Sequence, residues 1–545
     1  MSRRGALAAL LLAVGMLTAA PQARNVILMI PDGCDLSLVT LARWYSGRPL
    51  ALDALLCGGV KTSADNSIIT ESAAAATAYA TGYKTSCGFL GMGPGPGRRL
   101  RVAPVTPDSL EYRPLATLLE AARLQGKSTG LVVTCIFPHA TLAGFAAHVP
   151  DRGDYDEIAK QMVYQRIDVV FGGGRGWLEP KPRGGLREDS LDLKKVLSRR
   201  GCRFVRSSAE MAAVHAVPVW GLFAEKDMRP DADRSVQAPT EPSLAAMTAK
   251  AIALLSANPE GFFLMVEGSQ VDWGDHSNDP FYAVTDFLAF DSAVRVAIDF
   301  AARDSHTLVI SCPDHNCGGL SIGSGTSPVV YDSTSLSDLL DPLRRMKLTS
   351  TGVIRELGSD STPENIRERV RRWWGVTLAD SELAEVGRLR GQGMELDHAL
   401  SEVFSRHHTL LGWTSHGHTG EDVPLWAYGP GHPSGLLDNT EVARAASAAA
   451  GLDLAAAAGE LLTDLGVPGR DSGLRLDSSD ARYPALAMGR FRLPIGTDLL
   501  IAGSDTTRLE GIIVYSSGNG HAYGPASVPA AVHSKQGQRG SDQPN

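Results

Sequence analysis

The chain has no surplus of positive charge. Its 52 Lys and Arg residues face 60 Asp and Glu, for a net charge of −8. That balance argues against general nucleic-acid binding. Cysteine is scarce and badly spaced for a thiolate zinc site: none of Cys34, Cys57, Cys87, Cys135, Cys202, Cys312 and Cys317 forms a Cys-x2-Cys pair. Their number is odd, so at least one thiol is unpaired within the chain. They read mostly as small buried fillers, and an exported chain allows one disulfide among them, with no pair assigned. Gly172-Gly173-Gly174 lacks the Lys-Ser/Thr of a P-loop and reads as a turn after the strand Asp168-Val169-Val170-Phe171. Beyond the N-terminus no apolar run is long enough to span a membrane. The 545 residues suffice for one large α/β domain with accessory pieces.

The N-terminus reads as an export leader. Arg3-Arg4 supplies the positive start, and the apolar stretch from Leu7 to Leu17 is too short to cross a bilayer. Small residues at Thr18-Ala19-Ala20 and Ala23 place the cut near Ala20 to Ala23. The expected location is periplasmic or extracellular, with no transmembrane anchor after cleavage.

What the chain does have is a serine at the head of an alanine-rich helix, in Thr70-Glu71-Ser72-Ala73-Ala74-Ala75-Ala76-Thr77-Ala78. A helix N-terminus carries unpaired N–H groups and a positive dipole, and so suits an anion. A bare serine hydroxyl is a weak nucleophile that needs a base or a metal, and no Ser-His-Asp motif provides one. On its own Ser72 would be an ordinary N-cap.

Metal-type ligands occur where an open α/β sheet would put them. Asn25–Ile30 is a short apolar strand ending at Asp32-Gly33. Phe262–Val266 runs into Glu267, Asp272 and His276. Thr307–Ser311 delivers Asp314-His315. Gly130–Thr134 precedes Thr141 and, further on, Arg152. Continuous apolar runs of this length suit strands buried on both faces. Ligands of such sheets bind at the carboxyl ends of the strands, and four strands here end in carboxylates, histidines or hydroxyls.

The order and spacing of these motifs carry a resemblance. Asp32-Gly33, the Ser72 segment, Glu267-Gly268 with Asp272 and His276, Asp314-His315, and His418-Thr419-Gly420-Glu421-Asp422-Val423 together resemble the metal-dependent alkaline phosphatases, over about Asn25 to Gly431. The resemblance implies an α/β fold with a mostly parallel sheet sandwiched by helices. It implies two zinc ions and one magnesium. Asp272, His276 and His418 would hold the first zinc, with the His-x-Gly-Glu-Asp-Val context favouring His418 over His416. Asp32, Asp314, His315 and the Ser72 oxygen would hold the second. Asp32, Thr141 and Glu267 would hold the magnesium. Histidine with carboxylate suits zinc, and an all-oxygen set suits magnesium. The activity implied is hydrolysis of small phosphate monoesters through a phosphoserine on Ser72, with Arg152 gripping the phosphoryl oxygens and two metals about 3.5–4 Å apart clamping the displacement. Because the chain is acidic overall, attraction of phosphate has to be local to Arg152 and the metals. Phosphodiester or sulfate ester cleavage on the same metal core is the alternative. The family also suggests a homodimer.

Three residues depart from the commonest pattern. Glu71 stands where most relatives have the aspartate that orients the arginine, and its extra methylene alters that reach. His139 and Trp273 flank the third site where some relatives have aspartate and lysine, and an imidazole there can move the metal preference away from magnesium.

The expected organisation is a signal peptide over 1–23 and a catalytic domain over 24–490, interrupted by a helical insertion over 323–408 that caps or borders the site. A small β module over 491–533 and a disordered tail over 534–545 follow. Within the catalytic region, Leu115–Leu124 and Leu244–Leu255 have helical periodicity, with Thr240 or Ser243 as cap for the second. In the β module, Leu499–Gly503 and Leu509–Tyr515 read as two strands joined by a polar turn, packed on the core rather than binding the cell envelope.

Overall fold

The computed structural model describes residues 23–325, 331–470, 473–480, 483–530 and 532. The expected leader, apart from Ala23, and the tail over 534–545 lie outside these residues. Among the described residues no helix is long and apolar enough to cross a membrane.

A ten-stranded sheet organises the molecule. Its strands in chain order are β1 (Asn25–Pro31), β2 (Leu56–Lys61), β3 (Ser128–Ile136), β4 (Val169–Gly173), β5 (Arg203–Val205), β6 (Val219–Leu222), β7 (Phe262–Gly268), β8 (Thr307–Ser311), β9 (Val423–Tyr428) and β10 (Gly435–Asp438). Across the sheet they lie in the order β10-β2-β9-β8-β1-β7-β3-β4-β6-β5. Every pairing is parallel except those of β9, which runs antiparallel to both β8 and β2. The central strands are buried along their whole length, because helices cover both faces; hence their unbroken apolar sequences. The register sets Ile30 opposite Glu267 and Met29 opposite both Val266 and Ser311. The carboxyl tips of β1, β7 and β8 therefore come level at one edge of the sheet.

The Ser72–Thr81 helix is buried at every position. Alanine suits it because neighbouring backbone comes close: a Cβ built on Gly144 would stand 2.8 Å from the Ala76 Cβ. The helix ends at Gly82, in the left-handed conformation at φ +78°. Its hydroxyl-bearing Tyr79 donates to the Pro313 carbonyl at 2.6 Å, tying this helix to the turn that carries Asp314 and His315.

Several local expectations shift. The helix expected from Leu115 starts at Leu118, because Thr117 and Glu120 form a reciprocal capping box that fixes the first turn there. Leu244–Leu255 is a helix with Ser243 as its cap. Two of the three consecutive glycines belong to β4, and only Gly174, at φ +89°, makes the turn. All seven cysteines are free thiols.

Helices Leu336–Arg345, Ser350–Leu357, Pro363–Trp374, Asp380–Gly391 and Leu396–His408 fill most of the segment between the Asp314-His315 turn and His418. Two small antiparallel ladders close its base. Ser321 and Ile322 pair with Gly412 and Leu411, and Asn316 and Cys317 pair with Thr419 and His418.

The C-terminal antiparallel strands begin well before residue 491. Thr463–Gly466 pairs with His521–Gly524, and Leu474–Asp477 opens a five-stranded sheet that runs on to Arg508. These early strands are four residues long, too short for alternation to be read. Leu499–Ala502 pairs with Asp505–Arg508 across a two-residue turn at Gly503-Ser504, not with Leu509–Tyr515. The polar Asp505–Arg508 carries no apolar pattern, and strand structure in the second segment starts only at Val514, in the other sheet. The module has its own core around Leu486, Phe491, Leu493, Leu500 and Ile513. It packs on the main sheet domain through buried Asp498, which takes Arg166 Nε at 3.0 Å and Arg200 at 2.5 Å.

Candidate active site and metal centre

Asp32 follows β1 and is fully buried, as are Glu267 at the end of β7 and Asp314 after β8. Gly33 lets the first of these turns approach the helix Gln270–His276: it has φ +72°, and a Cβ there would lie 2.7 Å from Asp272 Oδ1. Seven of the nine expected ligands, all but Ser72 and Thr141, fall in three clusters, each with its donor atoms within 4.8 Å of one another.

In the first cluster, Asp272, His276 and His418 meet. His276 Nε2 lies 3.3 Å from Asp272 Oδ2, and His418 Nε2 lies 3.7 Å from Asp272 Oδ1. His276 Nδ1 donates to the His416 carbonyl, and His418 Nδ1 donates to the Thr70 carbonyl at 3.0 Å. Both rings thus turn Nε2 lone pairs into the cluster, an orientation typical of metal-binding histidine. His416 points elsewhere and bonds Glu402 at 2.8 Å. Cys317 joins this cluster, because its ladder partner is His418.

In the second cluster, His315 Nε2 stands 3.3 Å from Asp314 Oδ2, 3.6 Å from Asp32 Oδ1 and 3.3 Å from Ser72 Oγ. Ser72 is the first residue of its helix, not the cap. The cap is Glu71, whose carboxylate accepts from the amides of Ala73 at 2.9 Å and Ala74 at 2.8 Å. The same carboxylate is ion-paired with Arg152 and accepts from Gly88 N at 2.8 Å. Arg152 is therefore tied to the residue that precedes the serine.

In the third cluster Glu267 keeps Asp32 and Thr141 beside it, as expected, and gains two further neighbours. Glu267 is grouped with His139 and Cys135. Thr141 is buried nearby, within electrostatic reach of Glu267. Trp273 packs edge-on against His139, with ring centroids 6.1 Å apart. Sequence reasoning missed Cys135 and Cys317 as members of these clusters. The only signal for them was nearness along the chain, four residues before His139 and two after His315.

The electrostatics ask for cations. Burial, with Asp314, Asp272 and Glu267 close by, pushes the Asp32 carboxyl well above the usual range. Burial and Asp314 push Glu267 up to about 8. Burial acts against ionised Asp272 too, but the hydrogen bond and charge of His276 hold it well below the usual range. Burial and the Arg152 charge lower His139 to about 4. Both Asp32 oxygens, Asp272 Oδ1, Asp314 Oδ2, Glu267 Oε1, Thr141 Oγ1, His139 Nδ1 and His315 Nδ1 are buried without a hydrogen-bond partner. Buried polar atoms are nearly always paired, so such a concentration of orphans, of ligand chemistry throughout, fits bound divalent metal.

A cavity of about 390 Å³ opens beside the first cluster. His276 and Trp273 line one side, and Arg355, Asp397 and His398 from the helices preceding His418 line another.

Known proteins share this architecture. A model of the alkaline phosphatase family matches residues 23–452. Alkaline phosphatase 3 of Bacillus subtilis strain 168 is 34% identical over 441 residues, covering 77% of this chain and 87% of its own. The repressible alkaline phosphatase of Saccharomyces cerevisiae is 31% identical, covering 75% of this chain and 77% of its own. The crystal structure of Thermus thermophilus alkaline phosphatase superposes with a TM-score of 0.70 at 29% identity, over 81% of this chain and 94% of that one. A fold, a strand-tip site and relatives that agree over most of their length lead to one assignment: the chain belongs to the alkaline phosphatase family and is a phosphate monoester hydrolase.

Proposed function

We propose that hydrolysis proceeds through a phosphoserine on Ser72, at a centre that holds two zinc ions and a third divalent metal. The observation that carries this reading is the position of the Ser72 hydroxyl, 3.3 Å from His315 Nε2, at a helix N-terminus and facing unpaired buried ligand atoms. Asp272, His276 and His418 would hold one metal, and Asp32, Asp314 and His315 the second. Asp32, Glu267 and Thr141 would serve the third. Bound there, the metals supply Lewis-acid stabilisation of the charge that develops on the attacking and departing oxygens.

The chain's own groups do the rest. Arg152, fixed by Glu71, grips two non-bridging phosphoryl oxygens with its planar fork. The dipole and free amides at the start of the Ser72 helix favour the same anion. Ser72 Oγ gives up its proton to solvent and forms a bond to phosphorus as the bond to the leaving oxygen breaks, on the side of His276 and His418, and the leaving oxygen takes a proton from solvent. Water then displaces Ser72, releasing inorganic phosphate and restoring the hydroxyl. The helices between His315 and His418 border the leaving-group side and select substrates by access. The leader read at the N-terminus would place this activity outside the cytoplasm, on accessible phosphate esters.

The test is the hydrolysis of an aryl phosphate monoester, a diester and a sulfate ester side by side, with zinc and magnesium and with a chelator. Monoester turnover should dominate and disappear on chelation. A preference for diester or sulfate, or turnover indifferent to the chelator, would overturn the reading.

A further inference from the structure

We propose that Cys135 is a ligand of the third metal, and that this position takes a thiophilic ion of the zinc or cobalt class in place of magnesium. The inference rests on the metal-dependent reading above. Cys135 Sγ lies 4.0 Å from Glu267 Oε2, and the Cys135 sulfur, a His139 ring nitrogen and a Glu267 oxygen lie within 4.8 Å of one another. Donors bound to one tetrahedral ion at about 2.0–2.3 Å stand roughly 3.5 Å apart. Small side-chain adjustments would bring these three onto a shared ion.

Two further observations concern the same group of residues. Glu267 is fully buried and its Oε1 has no hydrogen-bond partner. The Thr141 hydroxyl and His139 Nδ1 are likewise buried and unpartnered. The backbone explains how the thiol arrives there. β3 pairs with β7 only as far as Val132 opposite Val266, and its pairing with β4 is irregular between Val132 and Ile136. Cys135 falls in that irregular stretch, beside the end of β7.

The donor chemistry then decides the metal. Magnesium demands oxygen ligands in octahedral array, whereas thiolate and imidazole select zinc and cobalt over it. Binding would release the thiol proton to solvent, since the thiolate is the ligand.

The test uses the full-length protein carrying Cys317→Ser, so that the first cluster offers no thiol, stripped with a chelator and refilled with cobalt, with Cys135→Ser added in the same background. A sulfur-to-cobalt charge-transfer band should appear in the near ultraviolet and be lost in Cys135→Ser, with one cobalt fewer per chain. Excess magnesium should leave the band unchanged. Cobalt uptake with no band, or a band that survives in Cys135→Ser, overturns the proposal and leaves the metal-dependent reading standing. Failure to take up any metal overturns both. Should Cys135→Ser not fold, zinc-edge X-ray absorption on Cys317→Ser decides the matter: a sulfur neighbour at about 2.3 Å supports the proposal, and a shell of nitrogen and oxygen alone overturns it.

Discussion

The Glu71 carboxylate joins Arg152 to the helix that carries Ser72, pairing with the guanidinium while it caps the amides of Ala73 and Ala74. One side chain thus sets both the nucleophile's helix and the phosphate clamp. The longer reach of glutamate is absorbed here, since the ion pair forms. Glu71→Gln should keep part of the cap and lose the charge. A hydrogen bond to a charged group is worth about 1.5–3 kcal/mol, so the inhibition constant for inorganic phosphate should rise at least tenfold. Phosphate inhibition titrations read this directly, and an unchanged constant would count against the clamp.

Ser72→Ala should abolish the phosphoenzyme and lower kcat by on the order of 1,000-fold or more, as removal of a nucleophile does elsewhere. Acid quench with labelled substrate measures trapped phosphoserine in the parent and its absence in the variant. Undiminished turnover would sink the phosphoserine route.

Metal removal should lower thermal stability as well as activity. Asp32, Asp272, Asp314 and Glu267 crowd one buried region, and a ligand present at 1,000 times its Kd stabilises by about 4 kcal/mol. Calorimetry with and without a chelator should show a drop of several degrees in Tm, restored by adding zinc back. Equal Tm values would mean that the clusters hold no tight metal.

A buried pair away from the centre predicts a pH window. His148 Nε2 lies 3.0 Å from Glu120 Oε1, and both side chains are buried. Burial opposes charge on each, but the pairing with His148 lowers Glu120 from 4.5 to about 2, and the pairing with Glu120 raises His148 above 6.5. The Glu120 contribution is complete above 4.5 and is lost as pH falls through about 2. The His148 contribution is complete below 6.5 and is lost as pH rises through its raised value. The Tm gap between the parent and Glu120→Gln should therefore be widest between 4.5 and 6.5, narrowing on both sides. Thermal melts across pH check it; a flat gap would mean that the pair is not ionised.

Much of the site was legible because ligands sit at the ends of apolar strands. Thr307–Ser311 and its Asp314-His315 turn needed only the run of β-branched and aliphatic residues and its abrupt end. His418 was separable from His416 by its context, and the structure turns only the former inward. The third cluster was not legible in the same way. Cys135 meets Glu267 across two strands that are more than 100 residues apart in sequence, and the meeting depends on where ladder pairing stops. The cap on the Ser72 helix was not legible for a related reason: a serine is the usual N-cap, yet the glutamate before it takes the amides of Ala73 and Ala74 while pairing with Arg152. The reversed direction of β9 leaves no trace in an apolar run, since a strand buried on both faces reads alike either way.

The two small ladders at the root of the helical segment pin both of its ends together. Asn316 and Cys317 pair with Thr419 and His418, so the chain departs and returns through the same few ångströms whatever lies between. Closing such a loop costs only about 0.6 kcal/mol more for each doubling of its length. The five helices are nonetheless part of the main core: Leu339, Val353, Trp374 and Phe404 share one apolar cluster with Ile27 and Met29, and Ser350 N donates to buried Asp279 at 2.8 Å. Added length within the segment is absorbed at its root, whereas its loss would bare the core beneath the metal clusters.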